Sequence, residues 1–536
     1  MNLKRAFAFL LGATIVTACA SGTRTGAVTS SPAASTADRP SLVVLVVVDQ
    51  LRADLLDRYG DLFTGGFKRL RTDGYSYVNA SHAHAGTVTA AGHATLSTGS
   101  FPSHHGVIGN AWLERVGDKW VTVENIDDTT VKIIGFPDVK GASPVHLMRS
   151  GLAEWVQKEI PGSKIASVSG KDRGAIQPGA HTKGGYVYWF EGVFGRFVTS
   201  TYYRKADPDW VTKFNSTAIP KYRADSVWGV SVPPALRGRA DRDSSAWEAD
   251  GKNIAFPHRY ASSEGANIDY WVWFENTPRS DALTIDMAEQ MVTSLQLGAD
   301  AAPDFLNVSL SVTDRIGHRF SPLSLEQMDN LMSLDRELGR FFSFLDEKVG
   351  KDKYVVVLSA DHGTLDAPED RVARGEYGHR LTPADNKTLD SLRARADSAT
   401  DKKAAARELA AALKKLPIIA DAWTREDLAK PQTDSFAVLQ QRSMYPGREV
   451  SRFGRQGVEF RYVPGIYGAP RGSGHGQVYW YDRHVPLIFM GRGISVGKDQ
   501  YGARTVDFAP TAAALLGIPY PSNIDGRPLE GVIRKN

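Results

Sequence analysis

Leu42-Val43-Val44-Leu45-Val46-Val47-Val48-Asp49 is an unbroken apolar run that ends on a carboxylate. A run this rich in valine, with no polar alternation, reads as a strand buried on both faces, the environment of a parallel sheet covered by helices. Similar runs bounded by turn residues recur at Ile165 to Val168, Phe305 to Val312, Tyr354 to Leu358 and Val485 to Met490. Helical patterns lie between several of them, for instance Leu283 to Leu297 and Leu325 to Phe344. Strands alternating with helices predict an α/β domain.

Two stretches break the alternation. From about Gly184 to Tyr270 the chain is rich in Trp, Tyr, Gly and Pro, and Asn386 to Leu416 is charged and Ala-rich. Both read as insertions on the sheet, the first as a packed aromatic cap rather than a ligand cage, the second as a solvated helical segment.

The whole chain has 536 residues, 42% hydrophobic and 23% charged, an ordinary globular composition. Its 64 Lys plus Arg against 60 Asp plus Glu give a formal charge of +4, and no dense basic run is interleaved with aromatics, so no nucleic-acid partner is expected. At the start, Lys4 and Arg5 precede an apolar run from Ala6 to about Ala18 that closes on small residues, the pattern of an export signal over residues 1–20. Cys19 is the single cysteine, which excludes an internal disulfide. Val16-Thr17-Ala18-Cys19 fits a lipobox, in which Cys19 is lipidated and tethers the protein to a membrane; cleavage after Ala20 at an Ala-x-Ala site is the alternative. Residues 21–38 read as a flexible tether, and the folded domain is expected over 39–536 in the periplasm or outside the cell, free or lipid-anchored to the outer membrane.

Acids and histidines fall where such strands end. Asp49 closes the first run; Asp314 and His318 follow Phe305 to Val312; Asp361 and His362 follow Tyr354 to Leu358. Open α/β sheets bind ligands beyond the carboxyl ends of their strands, so these ends converge five metal-type ligands. His475, in Gly472-Ser473-Gly474-His475-Gly476, is a sixth candidate, persuasive only as part of the set. Zinc takes His nitrogen and carboxylate oxygen, and six such ligands suit two ions rather than one. Two divalent ions roughly 4 Å apart serve an in-line displacement at phosphorus. A nucleophile is then needed, and the segment from Ala85 to Gly99 supplies Thr87, Thr89 and Thr95 just before small, helix-compatible residues. Spacing alone does not separate these hydroxyls.

Taken together, the chain resembles the alkaline phosphatase superfamily, most closely its monomeric, threonine-nucleophile bacterial alkaline phosphatases, relatives of the nucleotide pyrophosphatase/phosphodiesterases. The resemblance runs from Asp49 through Thr89 and the segment Ser103 to Asn110, on to His475 and Thr505-Val506-Asp507-Phe508-Ala509-Pro510-Thr511. It implies a three-layer αβα sandwich with a mostly parallel central sheet and inserted cap segments. It assigns Asp314, His318 and His475 to one zinc, and Asp49, Asp361, His362 and the Thr89 oxygen to the other. Thr89, four residues before His93, is implied as the nucleophile of a covalent phosphothreonine intermediate, and Asn110 as the amide that donates to the phosphoryl group.

Lys171 and Arg173, after the Ile165 strand, point the same way if that segment is still extended. Two added cations favour a phosphate monoester, with two negative charges on its nonbridging oxygens, over a diester with one. The resemblance agrees, since such a Lys-x-Arg pair marks the threonine-nucleophile monoesterases. No third, magnesium site is recognisable, and no C/S-x-P-x-R frame near residue 89 points to a sulfatase. The expected activity is zinc-dependent hydrolysis of small phosphate monoesters with broad specificity, by a monomer. The alternatives are a phosphodiesterase or nucleotide pyrophosphatase on the same metals, and a metal- or phosphate-binding lipoprotein without catalysis. His82, His84, His104, His105 and His379 are left as packing or supporting residues.

Overall fold

The computed structural model describes residues 28–29, 39–224, 226–260, 267–445, 450–451 and 455–534. The export signal over 1–20, Cys19 and most of the tether lie outside the described residues. Nine strands build the central sheet: β1 (Leu42–Val48), β2 (Tyr75–Tyr77), β3 (Ile165–Ser169), β4 (Tyr186–Glu191), β5 (Arg196–Val198), β6 (Asp304–Leu310), β7 (Tyr354–Ser359), β8 (Leu487–Gly491) and β9 (Gly497–Asp499). Their spatial order is β5-β4-β3-β6-β1-β7-β8-β2-β9. The run β4-β3-β6-β1-β7 is parallel throughout. β8 then runs antiparallel to β7, although its hydrophobic run resembles the others.

β1 shows why the apolar run lacks alternation. Leu42, Val44, Val46 and Val48 enter one hydrophobic cluster and Val43, Leu45 and Val47 another, because successive side chains point to opposite faces and each face is covered by helices. Two of those helices carry chemistry: α1 (Thr89–Thr98) and, further along the chain, α2 (Asp172–Gly179). Beyond them lie α3 (Asn267–Phe274), α4 (Pro278–Leu295), α5 (Val312–Phe320) and α6 (Leu325–Leu345). α4 and α6 pack on the first face of β1, whereas Leu96 of α1 and Phe508 to Leu516 pack on the second.

Register brings the chemistry together. Leu310 pairs with Val48, and Ser359 pairs with Val47, so β6, β1 and β7 end level with one another. Asp49 follows the end of β1 directly, and Asp314 and Asp361 follow the ends of β6 and β7 within a few residues. The stretch from 184 to 270 opens with β4 and β5 at the sheet edge, and its rings pack inward: Phe190 meets Phe197 at 5.5 Å and Trp271 at 5.8 Å between centroids. The stretch from 386 to 416 lies in two helices, Pro383–Ser398 and Lys402–Leu413, with Leu389, Leu409 and Leu413 buried against Ile419 and Phe460 in a separate small core. No described helix is long and apolar enough to cross a membrane.

Candidate active site

Asp314 lies in the first turn of α5 and His318 one turn later, so both face the same way. His318 Nε2 is 3.3 Å from Asp314 Oδ1, and His475 Nε2 is 3.5 Å from the same oxygen and 3.1 Å from His318 Nε2. Asp49 and Asp361 form a second convergence of possible ligand atoms together with His93. His362 joins the two, its Nε2 3.4 Å from Asp361 Oδ2 and 4.0 Å from Asp314 Oδ1, while its ring stacks on His475 at 3.6 Å. The structure therefore gathers all six side chains.

The tautomers follow from the backbone. Nδ1 of His318, His362 and His475 lies 2.9, 2.9 and 2.7 Å from the carbonyls of Ser473, Gly363 and Thr87. A carbonyl only accepts, so each Nδ1 carries a proton, and in the neutral ring Nε2 turns a lone pair inward. Burial holds His362 and His475 below the ordinary imidazole pKa, so both are neutral at neutral pH. Asp361 Oδ2 and His362 Nε2 are buried without a hydrogen-bond partner among the described residues. Unpaired acceptors of this kind are costly unless a cation satisfies them, and carboxylate and imidazole are the donors that zinc takes. The residues thus fit a pair of divalent cations.

His93 is different. Its Nδ1 donates to the Thr89 carbonyl at 2.9 Å, and its Nε2 lies 3.0 Å from Ser309 Oγ. Both ring nitrogens are engaged inside the protein, which makes His93 a support for Thr89 rather than a ligand.

The three threonines that spacing left equivalent are separated by their partners. Thr87 Oγ1 donates to the Gln477 carbonyl at 2.9 Å, and Thr95 Oγ1 lies 3.2 Å from His84 Nε2 and 3.1 Å from His105 Nε2. Thr89 bonds through its carbonyl alone and leaves its hydroxyl without a partner among the described residues. It is the first residue of α1, where unpaired N–H groups attract a phosphoryl anion. Asn110 Oδ1 accepts the Ala90 N–H at 2.9 Å, which orients the amide so that its Nδ2 donors remain available.

Gly92 brings this helix onto the metal ligands. A Cβ there would lie 2.0 Å from the Asp361 carbonyl oxygen, so only glycine permits the approach. Gly92→Ala is expected to displace Thr89 from Asp361, lowering kcat/KM about 100-fold and stability by about 1–3 kcal/mol. Steady-state turnover and thermal unfolding of the variant check both; unaltered turnover would show that the close approach is dispensable.

Lys171 reaches the site and Arg173 stops beside it. The Lys171 ammonium lies 2.6 Å from Asp314 Oδ2 and 3.0 Å from Asp49 Oδ2. Burial alone would lower its pKa, but Asp314 and Asp49 hold it above the ordinary value. Arg173 Nη1 lies 3.3 Å from Asp172 Oδ1. Lys171 and Arg173 do not share a strand face, because β3 ends at Ser169 and α2 begins at Asp172, so Arg173 is helical.

Gln50 carried no recognisable sequence signal, whereas His82, His104 and His379 take the supporting places expected of them. Gln50 donates from its backbone to Asp361 Oδ1 at 2.9 Å and from Nε2 to Asp314 Oδ1 at 2.8 Å, joining the two ligand groups. Its φ of 66° is left-handed, uncommon for a residue with a side chain. Gly317 makes room for it, since a Cβ there would lie 1.8 Å from Gln50 Oε1. His82 Nε2 donates to the Ala360 carbonyl at 2.9 Å, beside Asp361. His104 meets Asp525 at 2.7 Å and His379 meets Asp385 at 3.0 Å, both structural pairs.

Residues 43–448 match the type I phosphodiesterase / nucleotide pyrophosphatase family. Alkaline phosphatase PafA of Elizabethkingia meningoseptica is 32% identical over 98% of this chain and 98% of its own length. Alkaline phosphatase PhoV of Synechococcus elongatus is 31% identical over 93% of this chain and 94% of its own length. The crystal structure of wild-type PafA superposes with a TM-score of 0.84 at 31% identity, covering 92% of this chain and 99% of that one. With this coverage, this fold and this ligand-rich strand edge, the chain belongs to the type I phosphodiesterase / nucleotide pyrophosphatase family of the alkaline phosphatase superfamily.

Proposed function

We propose that this protein is an alkaline phosphatase that hydrolyses phosphate monoesters through a phosphothreonine at Thr89. The observation that carries this reading is a hydroxyl at the start of α1, without a partner among the described residues, beside a cluster of inward-facing imidazole and carboxylate groups. By donor chemistry the cluster suits two zinc ions, one held by Asp314, His318 and His475, the other by Asp49, Asp361, His362 and the Thr89 oxygen. When bound, the metals supply Lewis-acid stabilisation of charge on the attacking and leaving oxygens.

The chain's own residues do the rest. Thr89 Oγ1 forms a bond to phosphorus as the ester oxygen departs, and the hydroxyl proton ends on the released alcohol. The N-terminus of α1 and the Asn110 amide face the nonbridging oxygens, while Lys171 and Arg173 supply positive charge for the dianion. Water then cleaves the phosphothreonine, returning the proton to Thr89 and releasing inorganic phosphate. His318 leaves the cluster open to solvent, its side chain 40% exposed, which supports broad tolerance of the leaving group. A monomer exported to the periplasm, tethered through a lipidated Cys19, completes the reading.

The family itself is described by diester and pyrophosphate chemistry, which makes phosphodiesterase the competing reading. Turnover of a matched aryl phosphate monoester and aryl methyl phosphate diester, before and after chelation and zinc restoration, separates the two. The expected result is activity that chelation removes, zinc restores and the monoester dominates. A diester preference would overturn the monoesterase reading, and phosphate binding without turnover would point to a binding protein.

A further inference from the structure

We infer that Arg315 is a positioning residue for Lys171, and through it sets the preference for dianionic phosphate monoesters. The inference rests on the monoesterase reading above. Lys171 sits in the short connection between β3 and α2, where no strand ladder holds it. The peptide joining Gly170 and Lys171 is instead pinned on both sides. The Lys171 N–H donates to Ser169 Oγ at 3.0 Å, and Arg315 Nη2 donates to the Gly170 carbonyl at 3.2 Å. A peptide is a rigid plane, so fixing its N–H and its carbonyl fixes the direction in which Lys171 leaves the backbone. A long side chain with many rotamers is aimed most economically in this way.

Arg315 is suited to the task by its place. It follows Asp314 on α5, so its bond ties the lysine connection to the helix that carries Asp314 and His318. The connection lies directly on the start of that helix: a Cβ at Gly170 would come 3.2 Å from Ser311 Cβ. Glu275, just beyond α3, holds the guanidinium from the other side, with Oε2 3.3 Å from Arg315 Nη1. Burial pushes the Glu275 carboxyl up to about 6 against the pull of Arg315, so the ion pair persists at neutral and alkaline pH. One guanidinium thus spans Gly170 and Glu275, a reach that its planar fork allows and a single ammonium does not.

Arg315→Met keeps the aliphatic stem and removes both donors. On the metal-loaded protein, its monoester kcat/KM is expected to fall about tenfold while the matched diester changes less than about threefold, with metal content unchanged. Arg315→Lys should recover part of the loss, and Glu275→Gln should shift the ratio of the two substrates in the same direction by less. Equal losses on both substrates, or no loss on either, would overturn the inference. If Arg315→Met fails to fold or to load metal, Glu275→Gln decides, and an unchanged ratio in that variant is a negative result. A wild-type protein without monoester preference would overturn the monoesterase reading and this inference together. A preference that survives Arg315→Met but not Lys171→Ala would sink the inference alone.

Discussion

Thr89→Ala is expected to lower turnover of an aryl phosphate monoester about 1000-fold or more, with little effect on folding. The size follows from the role, because a nucleophile cannot be replaced by its neighbours when these are committed elsewhere. Thr87 is bonded to the Gln477 carbonyl and Thr95 lies between His84 and His105, so neither hydroxyl is free to take over. The small effect on stability follows from the same geometry, since the Thr89 hydroxyl makes no hydrogen bond within the described protein. Thr89→Ser should retain substantial activity by keeping the oxygen. Acid quenching during turnover of radiolabelled substrate should trap phosphate on the wild-type protein and not on Thr89→Ala. Substantial activity in Thr89→Ala, or trapped phosphate in that variant, would falsify the assignment.

Replacing Lys171 and Arg173 together by alanine is expected to cut monoester kcat/KM by about 100- to 10,000-fold. The range corresponds to two charge-assisted contacts of about 1.5–3 kcal/mol each. The matched diester should lose far less, because it presents one negative charge where the monoester presents two. Lys171→Ala alone has a further consequence. It leaves the buried carboxylates of Asp49 and Asp314 without their ammonium partner, so the apo protein should lose stability while the metal-loaded protein loses much less. Thermal unfolding with and without zinc measures that difference. Similar losses on both substrates would mean that the pair acts on the fold or the metals and not on the second phosphate charge.

β1 and β7 were legible because a strand buried on both faces has few polar positions to break its apolar run, and a carboxylate follows each strand, Asp49 directly and Asp361 two residues on. β8 has an equally apolar run, yet it lies antiparallel to β7, since apolarity reports burial and carries no direction. Lys171 and Arg173 are recognisable as cations near phosphate, but they would share a face only in an extended segment, and the helix begins at Asp172. The glycines of 472 to 476 drew attention to His475 without explaining themselves. Gly472 is now accounted for by the His318 carbonyl, 1.9 Å from where its Cβ would stand.

The α/β class, the acids and histidines at strand ends and the short list of hydroxyls are each written in local pattern: apolar runs, charge after a strand, small residues before a helix. Which hydroxyl lacks a partner among the described residues, which histidine nitrogen faces inward, and that Gln50 bonds both ligand groups all follow from the folded arrangement. Those properties belong to pairs of residues distant in the chain, set by strand register and by carbonyls on neighbouring loops, and no local pattern records them.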